Sequence, residues 1–112
     1  MAGDVAPEIE LRVALSTISD REAAEALARA LVEERVTACV NIVPGVTSVY
    51  RWQGDIERDE ELLLVIKTRA DRVNVLRERL LALHPYDVPE FVVLAVVQGS
   101  AEYLRWVADE VL

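Results

Sequence analysis

Four strand-like apolar segments are spaced along this chain. They combine β-branched residues with period-two alternation or a continuous apolar run, and they cover residues 9–16, 37–52, 60–67 and 91–97. Pro44 and Gly45 interrupt the second segment, which is therefore predicted to be one long strand with a bulge. Gly54 and Asp55 turn the chain, so the second and third strands form a hairpin. The fourth segment is typical of a strand buried on both faces.

The segments between the strands have helical spacing. Ser19 and Glu22 are placed as in a capping box, which predicts a first helix of about four turns. Thr68 and Asp71 form a second capping pair, and the apolar residues that follow recur every three or four positions. That helix is predicted to end at His84, before a proline. A last amphipathic segment closes the chain.

This order predicts an α+β, ferredoxin-like βαββαβ domain with an antiparallel sheet, a long β-hairpin and a C-terminal helix. We expect one such domain over 9–112, after a short acidic and disordered extension, 1–8. The fold hosts unrelated functions, so function must be argued from side chains. Three common ones lack their residues here: aromatics on the two central strands for RNA binding, paired cysteines in the 16–20 loop for copper transport, and an arginine in that loop for an acylphosphatase.

Composition narrows the choice further. The 112 residues contain 20 acidic and 12 basic side chains, for a net charge of −8, which disfavours binding to nucleic acid and to anionic membranes. The single cysteine, Cys39, cannot form an internal disulfide, which fits a reducing cytoplasm. No segment has the pattern of a signal peptide or a transmembrane helix, so we expect no membrane association.

The segment 84–90 places an imidazole, a phenol and two carboxylates in a loop stiffened by prolines. One interpretation is a corner that binds a metal or a small ligand. The alternative is that His84 only caps the C-terminus of the second helix, where a partly positive imidazole favours the helix dipole. One histidine beside carboxylates is a weak metal signature, so this alternative is favoured on spacing alone.

Acidic residues cluster around the hairpin turn, where they attract divalent cations or simply face water. Glu61 differs from the rest because it shares one face of its strand with Leu63, Val65 and Lys67. A charged residue at each end of an apolar strand face indicates a cleft, with plain solvent exposure as the alternative.

Cys39 is expected to be a small buried residue, since no basic neighbour in sequence would activate its thiol. Tyr50 and Trp52 lie on the same face of the hairpin, and aromatics there are more typical of packing against another subunit than of catalysis. The free edges of so long a hairpin also favour oligomerisation.

Several ordered motifs together resemble the CutA family of divalent-cation tolerance proteins. They are Glu61 and the segments 38–42 (ACVNI), 48–54 (SVYRWQG), 64–68 (LVIKT), 84–90 (HPYDVPE) and 103–106 (YLRW). The resemblance implies a tight cytoplasmic homotrimer of ferredoxin-like subunits, similar to the PII-type signalling proteins, with hairpins that pair between subunits. It implies a role in the response to copper and other divalent metals, and no enzymatic activity.

By the same resemblance, clefts between subunits collect Tyr50, Trp52, Glu61, Lys67, Tyr86 and Glu90. His84 is the one candidate metal ligand, because Ser16 and Leu83 stand where some bacterial members have a cysteine and a second histidine. No cofactor is required, and a divalent metal such as copper is the expected ion. Structural roles are expected for Cys39, Asn41, Pro85, Pro89 and Trp106.

The leading hypothesis is thus a trimeric binding protein of metal homeostasis that holds a divalent cation or a small anion. The alternatives are a small hydrolase or transferase, in which Lys67 binds an anionic substrate and Glu61, Glu90 or His84 acts as acid or base, and a trimeric scaffold without a ligand.

Overall fold

The computed structural model describes residues 10–112, and the predicted extension 1–8 lies outside this range. Four strands and three helices follow one another in the predicted order. They are β1 (Leu11–Ile18), α1 (Arg21–Glu33), β2 (Cys39–Trp52), β3 (Asp55–Arg69), α2 (Val73–Leu83), β4 (Val92–Ala95) and α3 (Ala101–Glu110), with a short 3₁₀ turn (Ala70–Arg72) before α2. The sheet is antiparallel throughout, with strand order β2-β3-β1-β4, and this confirms the ferredoxin-like fold.

The hairpin has the predicted span, but its third strand is longer than predicted. The third strand of the sheet begins at Asp55 and not at Glu60, because residues 55–59 already pair with β2, starting with Trp52 opposite Asp55. The turn is made by Gln53 and Gly54, both with positive φ, the geometry that matches the twist of the flanking strands. The predicted bulge is confirmed as a register shift between Val43 and Val46, where Gly45 has φ +78°.

Alternation along β3 separates the two faces of the sheet. Leu62, Leu64 and Ile66 point to α1 and α2 and form the main core. Its other buried members come from β1, both helices and the α1–β2 loop: Ala14, Ile18, Ala24, Leu27, Leu31, Val36, Leu76 and Leu80. A second cluster seats α3 through Val107, Ala108 and Val111, against Leu11 and Ala38.

Both predicted capping pairs are wrong. Asp20, and not Ser19, is the N-cap of α1, because its carboxylate accepts a hydrogen bond from the Ala23 N–H at 2.8 Å. Before α2, the N-cap positions are Arg69 and Arg72, neither of which makes a side-chain capping hydrogen bond, and the buried Thr68 hydroxyl donates to the Val36 carbonyl at 2.7 Å. The 3₁₀ turn begins the helical segment in its place.

β4 also departs from expectation. It covers only Val92–Ala95 and pairs on one side, with β1, so it is an edge strand. All four of its residues are exposed, with Leu94 at 51% and Val92 at 47%. The prediction of a strand buried on both faces is therefore wrong for the isolated chain, because no described element covers this edge.

The observed cap leads to a first prediction. Asp20→Ala should lower the free energy of unfolding by about 1 kcal/mol, because the Ala23 N–H loses its acceptor. Ser19→Ala should cost clearly less, since the Ser19 side chain does not cap the helix. Guanidinium unfolding followed by circular dichroism, at equal protein concentrations, measures both changes. Equal losses of stability in the two variants would support the capping box predicted from the sequence and contradict the observed cap.

Candidate functional site

An open groove of about 870 Å³ lies between the free end of the hairpin and the loop that follows α2. The hairpin extends past β1, whose last pair with β3 joins Ile18 to Leu62, and this extension gives the molecule its 55 Å length. The groove is lined by five acids and three aromatics together with smaller residues. The acids and aromatics are Asp59, Glu60, Glu61, Asp87, Glu90, Tyr50, Trp52 and Tyr86.

His84 anchors the loop side of the groove. Its backbone N–H donates to the Leu80 carbonyl at 2.9 Å, which ends α2. Its ring Nε2 lies 2.8 Å from the Thr17 carbonyl of β1, and its Nδ1 accepts the Tyr86 N–H at 3.1 Å. Because Nδ1 accepts, the proton must be on Nε2 and the imidazole is the neutral tautomer.

These contacts bear on both interpretations of His84, as a cap of α2 and as a metal ligand. His84 is the C-cap residue of α2, but its imidazole binds a carbonyl of β1 and not the last carbonyls of the helix. Both ring nitrogens are engaged and the residue is 7% exposed, so a metal ion at His84 would have to displace one of the two hydrogen bonds. The imidazole also meets the Tyr86 ring edge-on, at 4.6 Å between centroids.

The Tyr86 hydroxyl reaches across the groove to the hairpin. It donates to Glu61 Oε2 at 2.7 Å. Burial raises the pKa of Tyr86, and the hydrogen bond to Glu61 acts in the same direction. The phenol therefore remains protonated at neutral pH and serves as a fixed donor to the carboxylate.

Glu61 is the most unusual charge of the groove, since it is only 8% exposed. No lysine, arginine or histidine of residues 10–112 forms an ion pair with it, and its Oε1 has no hydrogen-bond donor in that range. A buried carboxylate is costly unless a positive group balances it. Glu61 thus directs into the groove a carboxylate that has no basic partner in residues 10–112.

A second phenol–carboxylate pair lies further out on the hairpin. The Tyr50 hydroxyl donates to the Asp59 carboxylate, and this hydrogen bond raises the pKa of Tyr50 to about 12. Ser48 is the residue directly opposite Asp59, so Tyr50 reaches it diagonally across the two strands. Two carboxylates of the groove are thus oriented by neutral phenols.

The structure brings five of the six predicted cleft residues to this groove: Tyr50, Trp52, Glu61, Tyr86 and Glu90. Lys67 is not among the residues that line it. It shares a face of β3 with Glu61, but six residues of strand separate the two by roughly 20 Å. Its ammonium donates to the Asn41 side-chain oxygen. In the β2–β3 register, Lys67 lies opposite Cys39.

Residues expected to be structural have varied positions. Cys39 is partly exposed, and not buried, because it faces away from the core at the start of the edge strand β2. Pro89 lines the groove, whereas Pro85 is exposed in the same loop. Trp106 is 44% exposed on α3 and pairs with the Tyr103 ring at 5.7 Å.

Several groove residues were not among the six predicted cleft residues, namely Thr17, Ser19, Ser48, Asp59, Glu60 and Asp87. Asp59 was assigned to a solvated hairpin tip, although counting pairs back from the turn would have placed it beside Tyr50. Thr17 also binds His84 through its backbone carbonyl, and a backbone contact leaves no trace in residue type.

No three side chains of histidine, cysteine, aspartate or glutamate within residues 10–112 are close enough together to hold one metal ion. The groove carboxylates are spread along it. No helix of the same residues is long and apolar enough to cross a membrane.

Comparison with known proteins agrees with the fold and the motifs. The family model described as CutA1 divalent ion tolerance protein matches residues 12–110. A divalent-cation tolerance protein CutA from Thermus thermophilus is 54% identical over 97 residues, which are 87% of this chain and 94% of that protein. A chloroplastic CutA from Arabidopsis thaliana is 47% identical over 83% of this chain. This chain spans about half, 51%, of the length of that protein.

A solved structure has the same architecture. The crystal structure of CutA1 from Oryza sativa superimposes with a TM-score of 0.90 at 40% identity, and the match covers 93% of this chain and 95% of that one. The family model spans nearly all of the described residues, and the Thermus relative is matched over nearly all of its length. The chain therefore belongs to the CutA family of divalent-cation tolerance proteins.

Proposed function

We propose that this chain is the subunit of a homotrimer that acts in the response to divalent metals and binds a divalent cation in its acidic groove. The observation that carries the proposal is Glu61, a carboxylate that is 8% exposed, faces the groove and has no counter-charge in residues 10–112. The relatives are named for divalent-cation tolerance, which agrees with a cation as ligand.

The donor set favours a hard or borderline ion. The groove offers carboxylate and phenol oxygens, which suit Mn²⁺ and, with fewer ligands, Zn²⁺. Tight copper binding is supported less well, because Ser16 and Leu83 provide no soft ligand and His84 already uses both ring nitrogens. We therefore place the cation at Glu61 and not at His84.

Assembly is part of the proposal because one chain supplies an incomplete set of donors. Apolar side chains at both edges of the sheet support it. On β4 and just beyond it, Val92, Leu94 and Val97 are 47%, 51% and 89% exposed, and on the hairpin Val49 is 67% exposed. Covering these edges with further copies buries apolar area and satisfies edge hydrogen bonds, and the donors still missing would come from the neighbouring subunit.

An enzymatic role is disfavoured by the position of Lys67. A hydrolase that drew Lys67 and Glu61 from the same chain would need both groups around one substrate, but Lys67 lies roughly 20 Å from Glu61 along β3. The proposed protein is accordingly a binding protein. We place it in the cytoplasm because its only cysteine is unpaired, while the compartment differs within the family, as the chloroplastic Arabidopsis relative indicates.

The assembly gives a second prediction. In native mass spectrometry the wild-type protein should have three times the mass of the 12.5 kDa chain. Leu94→Glu should shift it towards monomer, because a charge would be buried at the covered edge. Leu81→Glu is the matched control, since Leu81 is 45% exposed on the outer side of α2 and should leave the trimer intact. A monomeric wild type would refute the assembly.

The cation gives a third prediction. Calorimetric titration with Mn²⁺ and Zn²⁺ should show saturable binding that Glu61→Gln weakens by about tenfold, because the buried charge is lost while an acceptor for Tyr86 remains. Glu102→Gln, an exposed acid on α3, should bind as wild type. Equal isotherms for wild type and Glu61→Gln would overturn the proposed site.

A further inference from the structure

The outer part of the hairpin projects from the domain as a two-stranded ribbon. β1 pairs with β3 only as far as Leu62, and from there to the turn β3 pairs with β2 alone. We call this part of the chain, residues 46–61, the hairpin arm. It starts at the pair Val46–Glu61 and extends over roughly 20 Å of strand. Because an isolated two-stranded ribbon is at best marginally stable in water, the hairpin arm depends on contacts with other elements.

The base of the hairpin arm coincides with the β-bulge of β2. The register shift lies between Val43 and Val46, and Gly45 inside it has φ +78°. A bulge bends its strand and increases the local twist, so the direction of the hairpin arm is determined at this point. Apart from its chain neighbours, a methyl group on Gly45 would meet no atom of residues 10–112 within 4 Å. The bulge is therefore not held by packing around Gly45, and another contact must restrain the angle.

Among residues 10–112, one side-chain hydrogen bond joins the hairpin arm to the rest of the domain. It is the bond from the Tyr86 hydroxyl to Glu61 Oε2, at 2.7 Å. Glu61 belongs to the first pair of the hairpin arm, so the bond acts at its base. The other side-chain hydrogen bonds and the ion pair that the hairpin arm forms within the described chain stay inside the hairpin arm. They stabilise the ribbon but do not fix its direction.

Tyr86 is itself fixed to the body of the domain. Its backbone N–H donates to His84 Nδ1 at 3.1 Å, and its ring packs edge-on against the imidazole. His84 is held in turn by the Thr17 carbonyl of β1, 2.8 Å from Nε2, and by the Leu80 carbonyl of α2, which accepts its backbone N–H at 2.9 Å. None of these contacts involves the hairpin arm. The phenol is therefore a fixed point, and the hairpin arm is oriented relative to it.

The position of this bond gives it a large effect on the far end of the hairpin arm. A rotation of about 10° at the base moves the turn, roughly 20 Å away, by roughly 3–4 Å. Interfaces between subunits pack as densely as protein interiors, so a displacement of that size separates surfaces that should be in contact. Glu61 is buried, and a buried carboxylate that loses its donor is costly, which favours the hydrogen-bonded position of the hairpin arm.

We infer that the Tyr86–Glu61 hydrogen bond sets the angle of the hairpin arm and thereby pre-organises it for contact with a second copy of this chain. The inference rests on the proposed function in one respect, the assembly of several copies, and it does not require a cation at Glu61. Ordering the hairpin arm when the subunit folds reduces the entropy that is lost when copies associate. Tyr86 is thus a positioning residue of the interface, and His84 acts through it.

Tyr86→Phe tests this inference, because it removes the hydroxyl and keeps the ring that packs against His84. In hydrogen exchange of the full-length protein, followed by mass spectrometry, peptides of the hairpin arm should exchange about tenfold faster than in wild type. Peptides of residues 62–69, the part of β3 that pairs with β1, should not change. In native mass spectrometry of a dilution series, the protein concentration at half-assembly should rise by about tenfold.

Two further variants serve as controls. Tyr103→Phe makes the same change on α3, outside the hairpin arm and the 84–90 loop, and should behave as wild type in both measurements. Glu61→Gln keeps an oxygen that accepts the Tyr86 hydroxyl, so exchange of the hairpin arm and half-assembly should stay within about threefold of wild type. The third prediction expects the same variant to lose cation affinity, so the two roles of Glu61 are measured separately.

Each outcome decides the inference. Unchanged exchange of the hairpin arm in Tyr86→Phe would overturn it, and so would faster exchange without weaker assembly. An equal effect of Tyr103→Phe would show a general consequence of losing a phenol and would also overturn it. A monomeric wild type would refute the proposed assembly and this inference together, whereas a trimeric wild type with an unaffected Tyr86→Phe refutes the inference alone. Equal cation isotherms for wild type and Glu61→Gln would refute the metal site and leave the inference standing.

Discussion

The pairing of β3 with both of its neighbours is the constraint on which the rest of the structure depends. Even-numbered residues of this strand, such as Leu64 and Ile66, point to the helices and form the core, whereas Asp59 and Glu61 point to the other face. A slip of one residue would exchange the two sets and bury carboxylates under α1 and α2. The same register therefore determines the stability of the domain and the chemistry of the groove.

The other wall of the groove depends on how the end of α2 is fixed. His84 connects three elements, since its backbone closes α2 while its ring binds a carbonyl of β1 and the N–H of Tyr86. Tyr86 then reaches Glu61 on β3. A continuous series of hydrogen bonds thus runs from α2 to the hairpin, and it sets the width of the groove. The histidine that the sequence suggested as a metal ligand is, in this arrangement, the residue that positions the phenol.

Sequence pattern was sufficient for the order of elements, the bulge at Pro44–Gly45 and the face on which Tyr50, Trp52 and Glu61 lie, because alternation and turn chemistry are local properties. It failed where the outcome depended on contacts distant in sequence. Thr68 has the spacing of a cap, but its hydroxyl donates to the carbonyl of Val36, in the loop that follows α1. β4 has the composition of a central strand, yet it lies at an edge because nothing in its own residues determines its neighbours.

The predicted grouping of Lys67 with the other cleft residues depends on more than one chain. Lys67 was placed with Glu61 by resemblance to an assembled protein, in which a cleft draws residues from more than one copy. Within one chain the strand rise separates the two, so their grouping in a cleft between subunits stays a prediction. The five residues that do meet in one chain are those held by the hairpin and the 84–90 loop.

The charge of the groove favours a cation as its proposed ligand. A net charge of −8 spread over the surface attracts cations only diffusely, and screening by salt weakens that attraction. The groove differs because Glu61 is shielded from water and its neighbours are neutral phenols, which orient the carboxylates without cancelling their charge. In the proposed function, a cation bound there balances the charge of the Glu61 carboxylate. Binding therefore stabilises the fold, since any ligand that favours the native state raises the free energy of unfolding. The proposed cation site is thus the carboxylate of the groove that is least exposed to water.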